Sequence, residues 1–495
     1  MVDTQNTSQA RVQPGLVIEN ASPEISRHPY HPVVPFIIKP YLQLGDNDAP
    51  SIFGQLALAW HTKSFASDWS VKVKHQGDAE WSDMGTVESR KLKIEDIETH
   101  LRHTCLLTNL KAGEKFKYRI QWQKKTVFQA EARAPVAPDS KFRAAIVGDI
   151  ADGGPDSRAI VNRLFLSDPD LTVIAGDIVY KRGLFDEYLE KFFPVFNCDD
   201  SDSECGAPFI RSYLVTAVVG NHDVSVPKTD RGKTLSKKGK RRPNLYAYEL
   251  LWQHPENGPT RITRDMLKLD FEDRKFDPLF DEFGSAIVSK TNFSYSYGNS
   301  FWLHLDGNEY MDWTQPALRK WVCSQLSGAA DQKWKFVVIH QPAFSSDVAY
   351  WSEQRNRMLC EIFEAYGVDI VFSGHCHIYE RTFPLSFSPT PQPDGSFFTE
   401  EGMVDGRLRL DVGLGAGEAH GLREERRSLR PRGAFDSLWS RSSFCSRACK
   451  GDCSSLSGAF VSIFCEIRSV EIGQLTFADR RPAFGLRSFA SALPR

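Results

Sequence analysis

The stretch VFSGHCHIYERT, residues 371–382, leaves an apolar run at Gly374 and places His375 and His377 two positions apart. A buried strand normally closes on a turn residue, so two imidazoles flanking one residue after a glycine point to ligand work. Four other apolar runs end in a similar way. FRAAIVGD closes on Asp149, LTVIAGD on Asp177, AVVGNHD on Asn221 and His222, and KFVVIH on His340. These runs alternate little and are separated by helix-length segments such as DSRAIVNRLFL and QPALRKWVCSQL. Buried strands interleaved with helices make an α/β domain. In such sheets, functional groups gather outside the carboxyl ends of the strands, so side chains distant in sequence converge there.

Each member alone has a plainer reading. Asp149 and Asp177 suit helix N-caps after a strand, Asn221 a tight turn, His340 a hydrogen-bonded strand exit, and His375 and His377 loop positions. Together those readings require a coincidence at every strand end, whereas one metal site accounts for all of them.

The chain has 495 residues, above the usual single-domain size, so two domains with a tail is the starting expectation. With 61 basic against 63 acidic residues it is close to neutral, which gives no support for a nucleic-acid or membrane-surface protein as a whole. No apolar run reaches the roughly 18 residues of a spanning helix. The opening MVDTQNTSQARVQPG lacks the charged-then-apolar pattern of a secretory signal, which favours the cytoplasm. Ten cysteines in a chain of this length do not make a disulfide scaffold. Cys198 and Cys205 bracket the acidic loop DDSDSE and read as two free loop thiols, with a disulfide as the alternative in an oxidising compartment. Cys376 inside GHCH has no second cysteine pair at zinc-finger spacing. Glycosylation triplets stand at Asn6, Asn20 and Asn292.

Residues 1–35 are polar and read as a loose arm. From 36 to 138, GQLALAWHT, WSVKVKHQ and FKYRIQW alternate apolar with polar between turn residues, the pattern of an all-β sandwich. After the Pro-rich boundary APVAPDS, the α/β domain runs from 141 to 420. From 421 to 495 the text turns Arg-, Ser- and Cys-rich, and closing strands are hard to find in it. Cys445, Cys449 and Cys453 have no standard zinc spacing, so a weakly ordered tail or a shifted reading frame is the expectation there.

The ordered set GDIAD, GDIVY, GNHD, VVIHQP and GHCHIYERT resembles the calcineurin-like metallophosphoesterase superfamily and, within it, the purple acid phosphatases, over about 141 to 385. TCLLTNLKAGEKFKYRI likewise resembles fibronectin type III-like modules, and LHLDGNEYMDWTQPALRKWV the family's segment between its third and fourth motifs. The resemblance implies a four-layer α/β/β/α sandwich behind a fibronectin type III-like domain. It implies two metal ions: Asp149, Tyr180 and His377 on one, Asn221, His340 and His375 on the other, and Asp177 between them. The ion beside Tyr180 would be Fe(3+), since a phenolate is a hard oxygen donor, and the second Zn(2+), Mn(2+) or Fe(2+). The implied activity is hydrolysis of phosphate monoesters by metal-bound hydroxide, which needs no Ser or Cys nucleophile. His222 would contact the phosphate and protonate the leaving oxygen. The substrate would be a phosphorylated small molecule or a phosphoprotein, and members of this family are usually exported. A phosphodiesterase acting on nucleotides or phospholipid head groups, and a non-catalytic metal- or phosphate-binding protein, remain the alternatives.

The match departs from the family pattern at Ala151, where Gly is common, and after VVIHQPAF, where SSDVAYW supplies no further substrate histidine. KTDRGKTLSKKGKRR, residues 228–242, carries eight basic side chains against one acid shortly after Asn221. It reads first as a solvated loop or localisation signal, and secondly as a device that concentrates polyanionic substrates.

Overall fold

In the computed structural model, the residues described are 36–45, 53–63, 68–93, 97–224, 245–260, 262–263, 286–380, 382, 385–399, 403–410 and 463–467. The basic run 228–242, the arm 1–35, the glycine-rich stretch 411–420 and Cys445, Cys449 and Cys453 lie outside them.

Two antiparallel sheets face each other at the start of the chain. One has the order β1 (Phe36–Gln43), β2 (Leu56–Thr62), β6 (His100–Leu107), β5 (Glu88–Leu92); the other has β4 (Ser82–Asp83), β3 (Trp69–His75), β7 (Lys115–Trp122), β8 (Lys125–Arg133). In β7 the alternation read from KFKYRIQW holds: Phe116, Tyr118 and Ile120 are buried and their neighbours are more exposed. In β2 it fails, because every residue from Leu56 to Thr62 is buried. Leu56, Leu58 and Trp60 fill the sandwich interior, while Ala59 packs on its other side with Tyr41 of β1 and with Phe185 and Phe193 of the next domain. A strand covered on both faces loses the two-residue signal.

That next domain holds two further sheets. The first has the order β11 (Val215–Ala217), β10 (Leu171–Ile174), β9 (Phe142–Val147), β18 (Ile463–Ile467), with β9, β10 and β11 parallel and β18 antiparallel to β9. The second has β12 (Phe293–Tyr297), β13 (Ser300–Leu305), β14 (Trp334–Ile339), β15 (Ile370–Phe372), parallel from β13 onward. Ala144, Ile146, Leu171 and Val173 share one apolar cluster with Tyr295, Trp302, Phe336 and Val338, so the sheets meet face to face. The alternate residues Ala145, Val147, Ile174, Leu303 and Val337 pack outward with helix residues Val161, Leu164, Leu318, Val322 and Leu326. The helices Pro155–Leu166 and Pro316–Gly328 that carry those residues both begin with proline, whose fixed φ suits a first turn. A small hairpin, β16 (Leu385–Pro389) with β17 (Gly406–Leu410), follows. Of the segment from 421 onward, only the strand at 463–467 is described, on the edge of the first sheet.

Asn292 is fully buried; its amide donates to the Val288 carbonyl at 2.9 Å and its oxygen accepts from the Asp306 N–H at 2.8 Å. It is therefore a structural residue and not a glycan acceptor. Among the described residues no helix is long and apolar enough to cross a membrane.

The two domains are joined by backbone as well as side chains. The Leu42 N–H donates to the Ile210 carbonyl at 2.8 Å and the Arg133 N–H to the Ser212 carbonyl at 2.9 Å. The Arg133 guanidinium also pairs with Asp168 and, at 2.9 Å, with Asp170. Asp168 is nearly half exposed, so screening weakens that arm. Arg133→Ala is expected to cost about 1–2 kcal/mol, most of it from the less exposed Asp170 arm. Urea unfolding should show a lower midpoint with an unchanged slope.

Candidate functional site

The ends of β9, β10, β11, β14 and β15 lie at one edge of the paired sheets, and the loops leaving them carry Asp149, Asp177, Asn221, His340 and His375. The backbone turns sharply at these places. Asp149, Asp177, His375 and His377 all take left-handed φ values, 55°, 46°, 74° and 52°. Side-chain-bearing residues pay strain to sit there, and such strain concentrates at functional sites. Close approach explains the adjacent glycines. A Cβ at Gly176 would fall on the His340 ring, one at Gly220 on the Asp177 carboxylate, and one at Gly374 on the Asp149 carboxylate.

Asp149, Asp177 and His340 are buried, and one ligand atom of each lies within 4.8 Å of the others. Around Asp149, the Tyr180 hydroxyl donates to Oδ1 at 3.0 Å, His377 Nε2 lies 3.2 Å from the same oxygen, and the His375 N–H donates to Oδ2 at 2.9 Å. The Tyr180 hydroxyl is also 2.8 Å from His377 Nε2. Around His340, Nε2 lies 3.3 Å from Asp177 Oδ1 and 3.1 Å from Asn221 Oδ1. Its Nδ1 donates to the Ala175 carbonyl at 2.7 Å, which fixes the ring and leaves Nε2 facing the carboxylates. His375 stands somewhat apart: its ring centroid is 5.1 Å from that of His340, and its Nε2 is hydrogen-bonded to Glu353 at 3.0 Å.

His222 completes the rim. Its N–H donates to Asp177 Oδ1 at 2.8 Å, Nδ1 donates to the Lys181 carbonyl at 2.7 Å, and the ring meets Tyr180 edge-on at 4.8 Å. The structural reading, a bond to a backbone carbonyl, is thus present together with an Nε2 that lies 3.9 Å from Asp177 Oδ2. Neither Asp149 nor Asp177 caps a helix; the helix after β9 is capped by Gly154.

Charge is unbalanced here. Burial disfavours both ionised partners of the Asp177–His340 pair, yet their mutual attraction dominates, so Asp177 is held below the usual carboxylate range and His340 is raised above the usual imidazole range. A hydrogen bond to Asp149 raises His377. Burial, then the charges of Asp149 and Asp177, push the Tyr180 phenol far up. A phenol in such a place ionises only beside a strong cation. Two carboxylates, a phenol, a carboxamide and imidazole nitrogens converging without a lysine or arginine partner in the contacts above form a donor set for hard or borderline metal ions.

Three neighbours escape a reading of the strand ends. Asp223 is fully buried behind the cluster, where its carboxylate accepts from the N–H groups of Ile178 at 3.0 Å and Gly220 at 2.8 Å; burial and then the charge of Asp177 push it up to about 8. It ties the loop after β10 to the loop after β11. Glu353 orients His375, and the Tyr350 ring packs 4.4 Å from it, in the very segment that lacks the expected histidine. The Asp of GNHD was visible as a motif letter; Tyr350 ends a short 3-10 turn and Glu353 lies in the irregular stretch between that turn and the next, with no periodic signal.

A family model described as calcineurin-like phosphoesterase matches residues 142–379. Purple acid phosphatase 23 of Arabidopsis thaliana is 25% identical over 324 residues, covering 63% of this chain and 64% of that protein. Fe(3+)-Zn(2+) purple acid phosphatase 12 of Arabidopsis thaliana is 39% identical over 71 residues, 14% of this chain and 15% of that protein. The chain thus spans less than two thirds of the length of these relatives. A solved structure titled "Structure of PhoD" covers 73% of this chain and 75% of that one at 10% identity and a TM-score of 0.43, too loose a likeness to carry an argument.

Because Glu353 holds the His375 ring by a charge-assisted bond, Glu353→Gln is expected to weaken Zn(2+) uptake about 10–100-fold with the fold intact. Calorimetric titration beside far-ultraviolet circular dichroism checks this; unchanged affinity would separate Glu353 from the site.

Proposed function

We propose, from the premise that this chain is a purple acid phosphatase-like member of the calcineurin-like metallophosphoesterase superfamily, that it hydrolyses phosphate monoesters in a two-cation site. The observation that carries the reading is Tyr180, whose hydroxyl reaches both Asp149 and His377 while Asp149 shares a cluster with Asp177 and His340. Asp149, Tyr180 and His377 would hold one cation, Fe(3+) by the donor chemistry of a phenolate. Asn221, His340 and His375 would hold the other, Zn(2+), Mn(2+) or Fe(2+), with Asp177 shared. When bound, the ions supply Lewis-acid polarisation of a phosphoryl oxygen and acidify a water.

The chain's own residues do the rest. Hydrogen bonds from Ile178 and Gly220 to Asp223 hold the two loops that present Asp177 and Asn221. His222, fixed through Nδ1 on the Lys181 carbonyl, turns Nε2 toward the site, 3.9 Å from Asp177 Oδ2, where it can hand a proton to a departing alkoxide. No second histidine follows VVIHQPAF, so this proton route rests on His222 or solvent. The substrate is a phosphorylated small molecule or a phosphoprotein, and the sandwich ahead of the site is read as fibronectin type III-like.

Purified protein should contain two metal ions per chain, with a tyrosinate-to-iron band in the visible spectrum, and should turn over aryl monoesters faster than diesters. Metal at one ion per chain or less would overturn the two-cation reading, and a preference for diesters would assign a phosphodiesterase instead. Asp177→Asn should lower kcat by roughly three orders of magnitude or more.

His222→Asn is expected to lower kcat about 10²–10⁴-fold for an alkyl phosphate, whose leaving group needs a proton, and much less for p-nitrophenyl phosphate. Equal losses on both substrates would remove the proton-donor role.

A further inference from the structure

Away from the metal-ligand cluster, Cys198 and Cys205 are free, half-buried thiols whose Sγ atoms stand 2.9 Å apart. The loop between them is built to keep them together. Asp202 and Gly206 exchange backbone hydrogen bonds at 3.1 and 3.0 Å, and Asp202 Oδ1 accepts from the N–H groups of Glu204 at 2.7 Å and Cys205 at 2.9 Å. At its base the Ala207 N–H donates to the Val195 carbonyl at 3.1 Å. Residues 200–204 are exposed, so a small oxidant has access to the pair.

The residues at the first cysteine form the clamp between the domains. Asp199 pairs with Lys39 of β1 at 2.5 Å and with Arg211 at 3.0 Å. Arg211 further donates to the Cys198 carbonyl at 3.1 Å and lies over the Phe128 ring of β8. The Asn197 amide reaches the Lys39 and Pro40 carbonyls at 3.2 and 3.1 Å. Whatever fixes residues 197–199 therefore fixes the sandwich against the phosphoesterase domain.

We propose that Cys198 and Cys205 are a redox modification site, a dithiol that a low-molecular-weight disulfide of the glutathione class converts to an intrachain disulfide, locking this clamp. One cysteine thiolate attacks a sulfur of the oxidant, forming a mixed disulfide and releasing one thiolate. The other cysteine then attacks the protein sulfur of that mixed disulfide and releases the second. The protein loses two electrons and two protons; the oxidant becomes two thiols. Burial and the adjacent sulfur push Cys198 up to about 12, so closure is slow at neutral pH and quickens as pH rises. The proposal is independent of the proposed hydrolysis, and its readout needs no turnover.

The test uses the full chain equilibrated in reduced and oxidised glutathione buffers, alkylated and digested with trypsin. Both cysteines fall in the single peptide from Phe192 to Arg211. The expected result is that under oxidising conditions this peptide carries no alkyl group and is two hydrogens lighter than its dithiol form, while the wild-type melting temperature rises by roughly 3–5 °C. The Cys198→Ser/Cys205→Ser double variant should show no such rise. Two alkylated cysteines under oxidising conditions, a persistent glutathione adduct, or an equal rise in the double variant would each overturn the proposal.

Discussion

Two carboxylates buried side by side set the terms for this structure. Asp149 and Asp177 are 6% and 1% exposed, at the ends of adjacent parallel strands, and removing such charges from water costs several kcal/mol each unless they are partnered. The partner His340 comes from the other sheet, one residue beyond β14, and reaches across to both carboxylates. The two sheets must therefore stack with their carboxyl ends aligned. The apolar layer of Ala144, Leu171, Val173, Trp302, Phe336 and Val338 between them provides that alignment.

Alignment alone does not deliver the donor atoms. Each strand must release its chain into a turn tight enough to bring the next side chain back over the sheet edge, which is why four of the donor-bearing residues adopt left-handed backbone. Local strain of order 1–3 kcal/mol per residue persists only where the surroundings over-determine it. Here the surroundings are hydrogen bonds from the site itself: the Asp149 carboxylate holds the His375 N–H, and the Asp177 carboxylate holds the His222 N–H. The same oxygens that would face cations thus pin the loops that carry the other donors. Cluster and scaffold are one network.

Much of this was legible in the sequence because it lies where local chemistry and chain pattern coincide. An apolar run of strand length followed by Gly-Asp or a histidine is visible without a fold, and the convergence of those ends follows from parallel topology. What escaped had no such pattern. Glu353 acts on the His375 ring from an irregular stretch between two short 3-10 turns, so nothing in its neighbours' spacing marks it. The alternation in LALAWHT failed because a second domain covers the outer face, a fact about tertiary contact that a single strand cannot encode. The strand at 463–467 was hidden in a compositionally odd stretch because an edge strand asks for one row of pairing, here with β9, and little else.

The sandwich matters to the cluster through one strand. β10 begins at Leu171, just after Asp168 and Asp170, and the loop at its other end presents Asp177. Arg133, the last residue of β8, grips both Asp168 and Asp170, and the Tyr297 hydroxyl binds the Asp170 carbonyl at 2.8 Å. One end of β10 is thus anchored to the first domain and to the second sheet. Because a β-strand is stiff along its length and transmits its register residue by residue, that anchor also fixes how far Asp177 projects beyond the sheet edge. A slip of one residue would exchange the two faces of β10 and carry the Asp177 carboxylate about 3.3 Å away from His340, farther than a hydrogen bond can stretch.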